Sequence, residues 1–123
     1  MDTSQLAQLQ QLLDRQDIAD CLTRFSRGID RLDKELFLSA FHPDAVIAAG
    51  DFVGGPDALY TWASDMHGAG QIATQHNLLN HTCDITGDSA HSETYYLFAA
   101  EVPDIGETAC QPAIDRIPPT SAR

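Results

Sequence analysis

Basic residues are scarce in this 123-residue chain. Seven Lys and Arg stand against 18 Asp and Glu, a net charge of −11. Phosphate recognition needs a basic footprint, so nucleic-acid binding is excluded as a starting hypothesis. A polybasic membrane anchor is excluded for the same reason. Long apolar runs are also missing, and nothing approaches the ~20 residues of a membrane span. The start, Met1-Asp2-Thr3-Ser4-Gln5, lacks the basic and apolar stretches of a signal peptide. Cysteine is limited to Cys21, Cys83 and Cys110, an odd number at wide spacings with no CxxC. That argues against a disulfide framework or a zinc cluster. There is no internal repeat and no low-complexity tract. What remains is one domain, expected to be cytoplasmic with reduced thiols. Its 43% apolar residues are enough for a core.

Residues 4 to 31 carry a helical period. Leu6, Leu9, Leu12 and Leu13 begin it, and Ile18, Cys21, Leu22, Phe25 and Ile29 continue it. Gly28 is a weak point in that helix. Asp33 is placed to cap a second helix, Lys34 to Phe41, ended by His42-Pro43. Ala45 to Ala49 and Phe52-Val53 read as a short strand pair around Gly50-Asp51. Pro56 opens a third helix that runs to about His67, with Leu59, Trp62, Ala63 and Met66 inward and Gly68 as its cap. Ile72 to Ile85 and Ser89 to Ala100 read as long strands joined at Gly87-Asp88. The expected domain is residues 1–100, of α+β class with helices on one face of an antiparallel sheet. Residues 101–123 hold four prolines and no stripe or alternation, so an irregular or disordered tail is expected there.

His76 is the first candidate for chemistry, because imidazole exchanges protons near neutrality. In an unbulged strand it shares a face with Ile72, Thr74, Leu78, Asn80 and Thr82. His81, five residues on, then falls on the opposite face and cannot share a metal with His76 unless a β-bulge intervenes. A hydrogen-bonded structural histidine is the competing reading of His76. Asp30 closes the first helix, where the dipole disfavours a carboxylate unless it has a partner. Its competing reading is a solvated acid beside Arg27 or Arg31. Phe25, Trp62, Met66, Leu78, Tyr96 and Phe98 are candidates to line an apolar pocket, or simply core. The Tyr96 hydroxyl could also bind a substrate oxygen. No metal and no cofactor are expected.

Several phrases occur in a telling order. Asp17-Ile18-Ala19-Asp20 leads into Arg27-Gly28-Ile29-Asp30, then Phe41-His42-Pro43-Asp44-Ala45. Gly54-Gly55-Pro56-Asp57-Ala58-Leu59, Gln75-His76-Asn77, Asn80-His81 and Gly87-Asp88-Ser89-Ala90 follow, before Tyr95-Tyr96. Together they make the stretch from Leu12 to Ala100 resemble a SnoaL-like domain of the nuclear transport factor 2-like superfamily. The resemblance implies a cone-shaped, curved antiparallel sheet wrapped around the N-terminal helices, here lacking its last strands. It implies that Asp30 and His76 pair as a general base. It further implies a cofactor-independent dehydratase or isomerase acting on a small hydrophobic cyclic substrate. The alternatives are a non-catalytic binding or assembly module like a ring-hydroxylating dioxygenase β subunit, or a truncated inactive relative. A homo-oligomer formed through the sheet is the expected assembly, because an exposed sheet edge invites pairing.

Overall fold

A computed structural model describes residues 1–70, 73–101 and 108–115. Helix α1 runs Thr3–Asp30 and α2 Lys34–Leu38. Strands β1 (Ile47–Ala49) and β2 (Phe52–Gly54) form a hairpin, and α3 spans Pro56–Gly70, past the stop expected at Gly68. Strands β3 (Ala73–Thr86), β4 (Ser89–Glu101) and β5 (Thr108–Asp115) complete the chain. The helix starts follow capping chemistry. Asp2 accepts from the Gln5 backbone N–H at 2.8 Å while the Gln5 side chain accepts from the Asp2 N–H at 2.9 Å. Asp33 accepts from the Leu36 N–H at 3.0 Å and so caps α2.

The α+β class holds, but the cone does not form. Among the described residues there are two separate antiparallel sheets, β1-β2 and β3-β4-β5. A cone requires one continuous ladder of hydrogen bonds around the helices. Here β1 and β2 contribute three residues each and pair only with each other, so the ladder breaks and neither sheet curves round to close. The expected loss of the last strands is corrected as well. β5 pairs with β4 from Thr94↔Asp115 to Glu101↔Thr108. Pro112 lies in this strand, and its position at the sheet edge tolerates a residue without an N–H. The irregular chain expected at 102–107 and 116–123 lies outside the described residues.

The β1-β2 and β3-β4 hairpins turn on two residues whose first is glycine at positive φ, Gly50 at 58° and Gly87 at 57°. That is the backbone a tight hairpin connection needs. The main core lies where α1, α2, α3 and the β1-β2 hairpin meet, around Ile29, Phe37, Ile47 and Leu59. Phe37 is wholly buried. Gly28 explains how α2 comes so close: a Cβ there would stand 2.5–2.7 Å from the Phe37 N, Cα and Cβ atoms. The glycine is a packing requirement and not merely a weak point in the helix.

The turn after Asp30 is a Schellman motif. The Asp33 N–H reaches the Gly28 carbonyl at 2.8 Å, and the Leu32 N–H reaches Ile29 at 3.3 Å. The left-handed position in this motif usually holds glycine, yet here it is Leu32 at φ 55°. The strain lies two residues beyond Asp30.

One sequence expectation about α1 fails. Ile18, Leu22 and Ile29 are buried, but Leu6, Leu9, Leu12 and Leu13 are exposed. The two sets do not form one stripe. At about 100° per residue, the leucines centre roughly 180° round the helix from Ile18, Cys21, Leu22, Phe25 and Ile29.

Candidate functional site

The C-terminal end of α1 and the start of β3 bring together the first two candidates. The Asp30 Oδ1 atom lies 2.6 Å from His76 Nδ1, and Oδ2 accepts the His76 backbone N–H at 2.8 Å. The Thr74 hydroxyl donates to Oδ1 at 2.8 Å. Thr74 and His76 are two apart on an unbroken strand segment and therefore share a face. One carboxylate thus receives three donors, all from a single stretch of β3. Thr74 is the residue that sequence reasoning placed on the right face without giving it a role.

Burial pushes the Asp30 carboxyl up. Hydrogen bonds from the His76 ring and backbone, the charge of that ring and the Thr74 hydroxyl outweigh burial and hold the carboxyl below its usual range. An ionised carboxylate only accepts, so Nδ1 of His76 carries the proton in this contact. In the neutral ring Nε2 is then the basic atom. Nε2 makes no hydrogen bond among the described residues. The two side chains are 19% and 15% exposed, so the pair is largely shielded yet not sealed off.

Aromatic rings surround the imidazole. Phe98 stands 4.9 Å away by ring centroids, Tyr96 5.7 Å and Phe25 6.4 Å. Register explains this, since His76 pairs with Phe98, and Leu78 with Tyr96, on the helix-facing side of the sheet. The other expected pocket residues lie elsewhere. Trp62 packs on Phe52 at 5.5 Å and is more than one-third exposed, and Met66 is similarly exposed on α3. They are not brought to His76.

A bulge changes the far half of β3. Leu78 pairs with Tyr96 but His81 pairs with Thr94, so Leu79 and Asn80 together oppose Tyr95. The extra residue inverts the alternation. His81, Cys83 and Ile85 take the helix-facing side with His76, whereas Asn80 and Thr82 turn to the outer side. This corrects the face drawn from an unbulged strand. His81 now shares a face with His76 but lies ~13 Å further along it, too far to share a metal. No group of three His, Cys, Asp or Glu suited to a metal occurs among the described residues.

Beyond the bulge polar groups enter the buried face. Ser92 and Thr94 are 1% and 3% exposed, and among the described residues their hydroxyls have no hydrogen-bond partner, nor does His81 Nε2. Burial, then the positive charge of Arg15, lowers the His81 pKa. Cys83 lies in the small apolar cluster with Ile18 and Ala90, and burial raises its thiol pKa. Burial likewise raises Cys21, whose Sγ donates to the Ala40 carbonyl at 3.1 Å.

Comparison with known proteins now bears on this geometry. A family model described as a SnoaL-like domain matches residues 10–113. The chain belongs to the SnoaL-like domain family. The match runs past Ala100 and takes in most of β5, in line with the extra strand. Among solved structures, a nuclear transport factor 2-like superfamily protein from Salmonella enterica superposes with a TM-score of 0.69 at 19% identity, over 81% of this chain and 74% of that one. A protein from Novosphingobium aromaticivorans, provisionally described as an aromatic ring hydroxylase, gives 0.70 at 21% identity, over 82% and 73%. A provisionally described scytalone dehydratase from the same organism gives 0.69 at 18% identity, over 81% and 68%. At these identities the likeness concerns the fold. No curated protein matches the sequence. No helix among the described residues is long and apolar enough to cross a membrane.

Proposed function

We propose that this SnoaL-like protein is a dehydratase- or isomerase-type enzyme that uses His76 as general base on a small hydrophobic cyclic substrate. One observation carries the reading: the Asp30 carboxylate is fixed by three donors and in turn fixes the His76 ring through Nδ1 at 2.6 Å. Nε2 then accepts a proton from a carbon next to a carbonyl or a leaving group. The imidazolium that forms gains the adjacent negative charge, so its formation is favoured at the moment of transfer. Phe25, Tyr96 and Phe98 supply the flat apolar surface for a ring, and the Tyr96 hydroxyl is a donor for a substrate oxygen. The solved relative provisionally described as a scytalone dehydratase supports the same class of chemistry. The reading keeps the protein in the cytoplasm, where Cys21 and Cys83 remain thiols.

The test is a panel of cyclic ketones and cyclic β-hydroxy carbonyl compounds in deuterated water, followed by proton NMR. The expected result is exchange or elimination on at least one compound, reduced by about 10²–10⁴-fold in His76→Gln. Binding without turnover would point instead to the non-catalytic module. Equal turnover by His76→Gln would remove His76 from the chemistry.

A further inference from the structure

Asp30 Oδ1 takes two side-chain donors at once. His76 Nδ1 lies 2.6 Å from it and the Thr74 hydroxyl 2.8 Å, while Oδ2 accepts the His76 backbone N–H. Two of these three donors belong to His76 itself. A carboxylate fixed by His76 alone would be fixed by the residue it has to orient. A carboxyl torsion is broad and roughly two-fold, so its oxygens exchange places easily unless another group pins them. The Thr74 hydroxyl is that group, and it reaches the very oxygen that the ring uses. Its placement is firm. Register is unbroken from Thr74↔Ala100 to Leu78↔Tyr96, so the strand itself sets the spacing between this hydroxyl and the ring. The branched β-carbon of threonine stiffens χ1, and the cross-strand neighbour Ala100 is buried and brings no polar side chain. Threonine also suits a half-buried strand by propensity alone. A hydroxyl that donates to a shielded carboxylate 44 residues away does more than that.

We propose that Thr74 is a positioning residue: its hydroxyl pins Asp30 Oδ1 and thereby holds the proton of the Asp30–His76 contact on Nδ1 and off the carboxylate. At 2.6 Å two acceptors compete closely for one proton. A donor to the carboxylate favours its ionised form. Thr74 supplies that donor at the shared oxygen, so the proton stays on nitrogen and the lone pair stays on Nε2. The same hydroxyl is among the groups that hold the Asp30 carboxyl below its usual range. When Nε2 takes a proton from substrate, the ring becomes a cation beside a carboxylate that cannot turn away. The hydroxyl therefore acts on the proton-transfer step more than on substrate binding. Thr74 works through Asp30 and has no need to touch the substrate. Its effect on turnover rests on the general-base reading of His76; its effect on the proton does not.

The experiment compares the full wild-type chain with Thr74→Val, which keeps the side-chain shape and removes the hydroxyl, and Thr74→Ser, which keeps the hydroxyl. Nitrogen-15 NMR of the His76 ring needs no substrate. The proton should sit on Nδ1 in wild type and Thr74→Ser, and the preference for Nδ1 should fall by about 10-fold in Thr74→Val. Turnover of a cyclic β-hydroxy carbonyl compound gives the second reading. In Thr74→Val kcat should fall by about 10-fold with KM within about twofold of wild type, and Thr74→Ser should restore it. If circular dichroism shows that Thr74→Val does not fold, the wild type answers alone: its Thr74 hydroxyl proton should exchange slowly enough to give its own NMR signal. An unchanged Nδ1 preference in Thr74→Val, a Thr74→Ser variant as impaired as Thr74→Val, or a Thr74 hydroxyl proton exchanging as fast as an exposed one would each overturn the proposal. Absence of turnover on every compound, with the NMR result as expected, would remove the catalytic reading and keep the role of Thr74.

Discussion

Replacing Asp30 with Asn keeps the shape of the side chain and removes the charge that organises His76. The carboxylate accepts from His76 Nδ1 at 2.6 Å, the His76 backbone N–H at 2.8 Å and the Thr74 hydroxyl at 2.8 Å. An amide offers one accepting oxygen and one donating nitrogen. Whichever way the amide turns, the donors previously held by the other oxygen lose their acceptor or must be reversed. Hydrogen bonds to a charged group contribute about 1.5–3 kcal/mol each, and an orphaned buried donor costs a further ~1–3 kcal/mol. The groups are mostly shielded but not dry, so a net loss of about 3 kcal/mol is expected. For a domain of this size that is a fall in Tm of about 10 °C. Thermal unfolding followed by circular dichroism at pH 7 measures it. The pH profile adds a signed check. The native Asp30 pKa is lowered, so folding favours its ionised form. Its contribution is present above the unfolded carboxylate value and is lost as pH falls through the native one. Wild type should therefore lose its advantage over Asp30→Asn progressively below about pH 4. A Tm within about 2 °C of wild type at pH 7, or a difference unchanged down to about pH 2, would refute the reasoning.

Other consequences follow from local geometry. Gly28→Ala forces a Cβ into the Phe37 backbone, so urea unfolding should show a loss of about 1–3 kcal/mol despite the better helix propensity of alanine. Leu32→Gly removes a left-handed leucine at φ 55° from an exposed turn, and the same measurement should show a gain of about 1 kcal/mol. Ser92→Ala and Thr94→Val delete buried hydroxyls that have no partner among the described residues. Each should leave stability unchanged or raise it by up to about 1 kcal/mol, and a loss beyond that would show that the hydroxyls are satisfied in solution.

The contact between Asp30 and His76 was legible only through the resemblance, because each residue alone reads equally as a structural histidine or a solvated acid. The glycine-led hairpin turns fix where β1 to β4 begin and end. The bulge leaves only a trace in the sequence. Apolar residues on the inner face fall at Leu78 and then at Cys83 and Ile85, a shift from even to odd that a regular strand cannot make. The turn holding Asp30 in place gave no signal, because Leu32 occupies the position where glycine would have announced it. The leucines of α1 share the three- and four-residue spacings of the core stripe but not its phase around the helix, so spacing alone does not separate the two sets. The cone came from the resemblance alone. Local pattern cannot show whether a three-residue hairpin joins a distant sheet. β5 was hidden by Pro112, which argues against a central strand but not against an edge.

The central claim is that Asp30 sets the protonation of His76 so that Nε2 is the base. Nitrogen-15 NMR of the imidazole reads this directly. The account predicts a proton on Nδ1 and none on Nε2 in the wild type, with Asp30→Asn losing that preference. A proton on Nε2 in the wild type, or the same tautomer in both proteins, would contradict it.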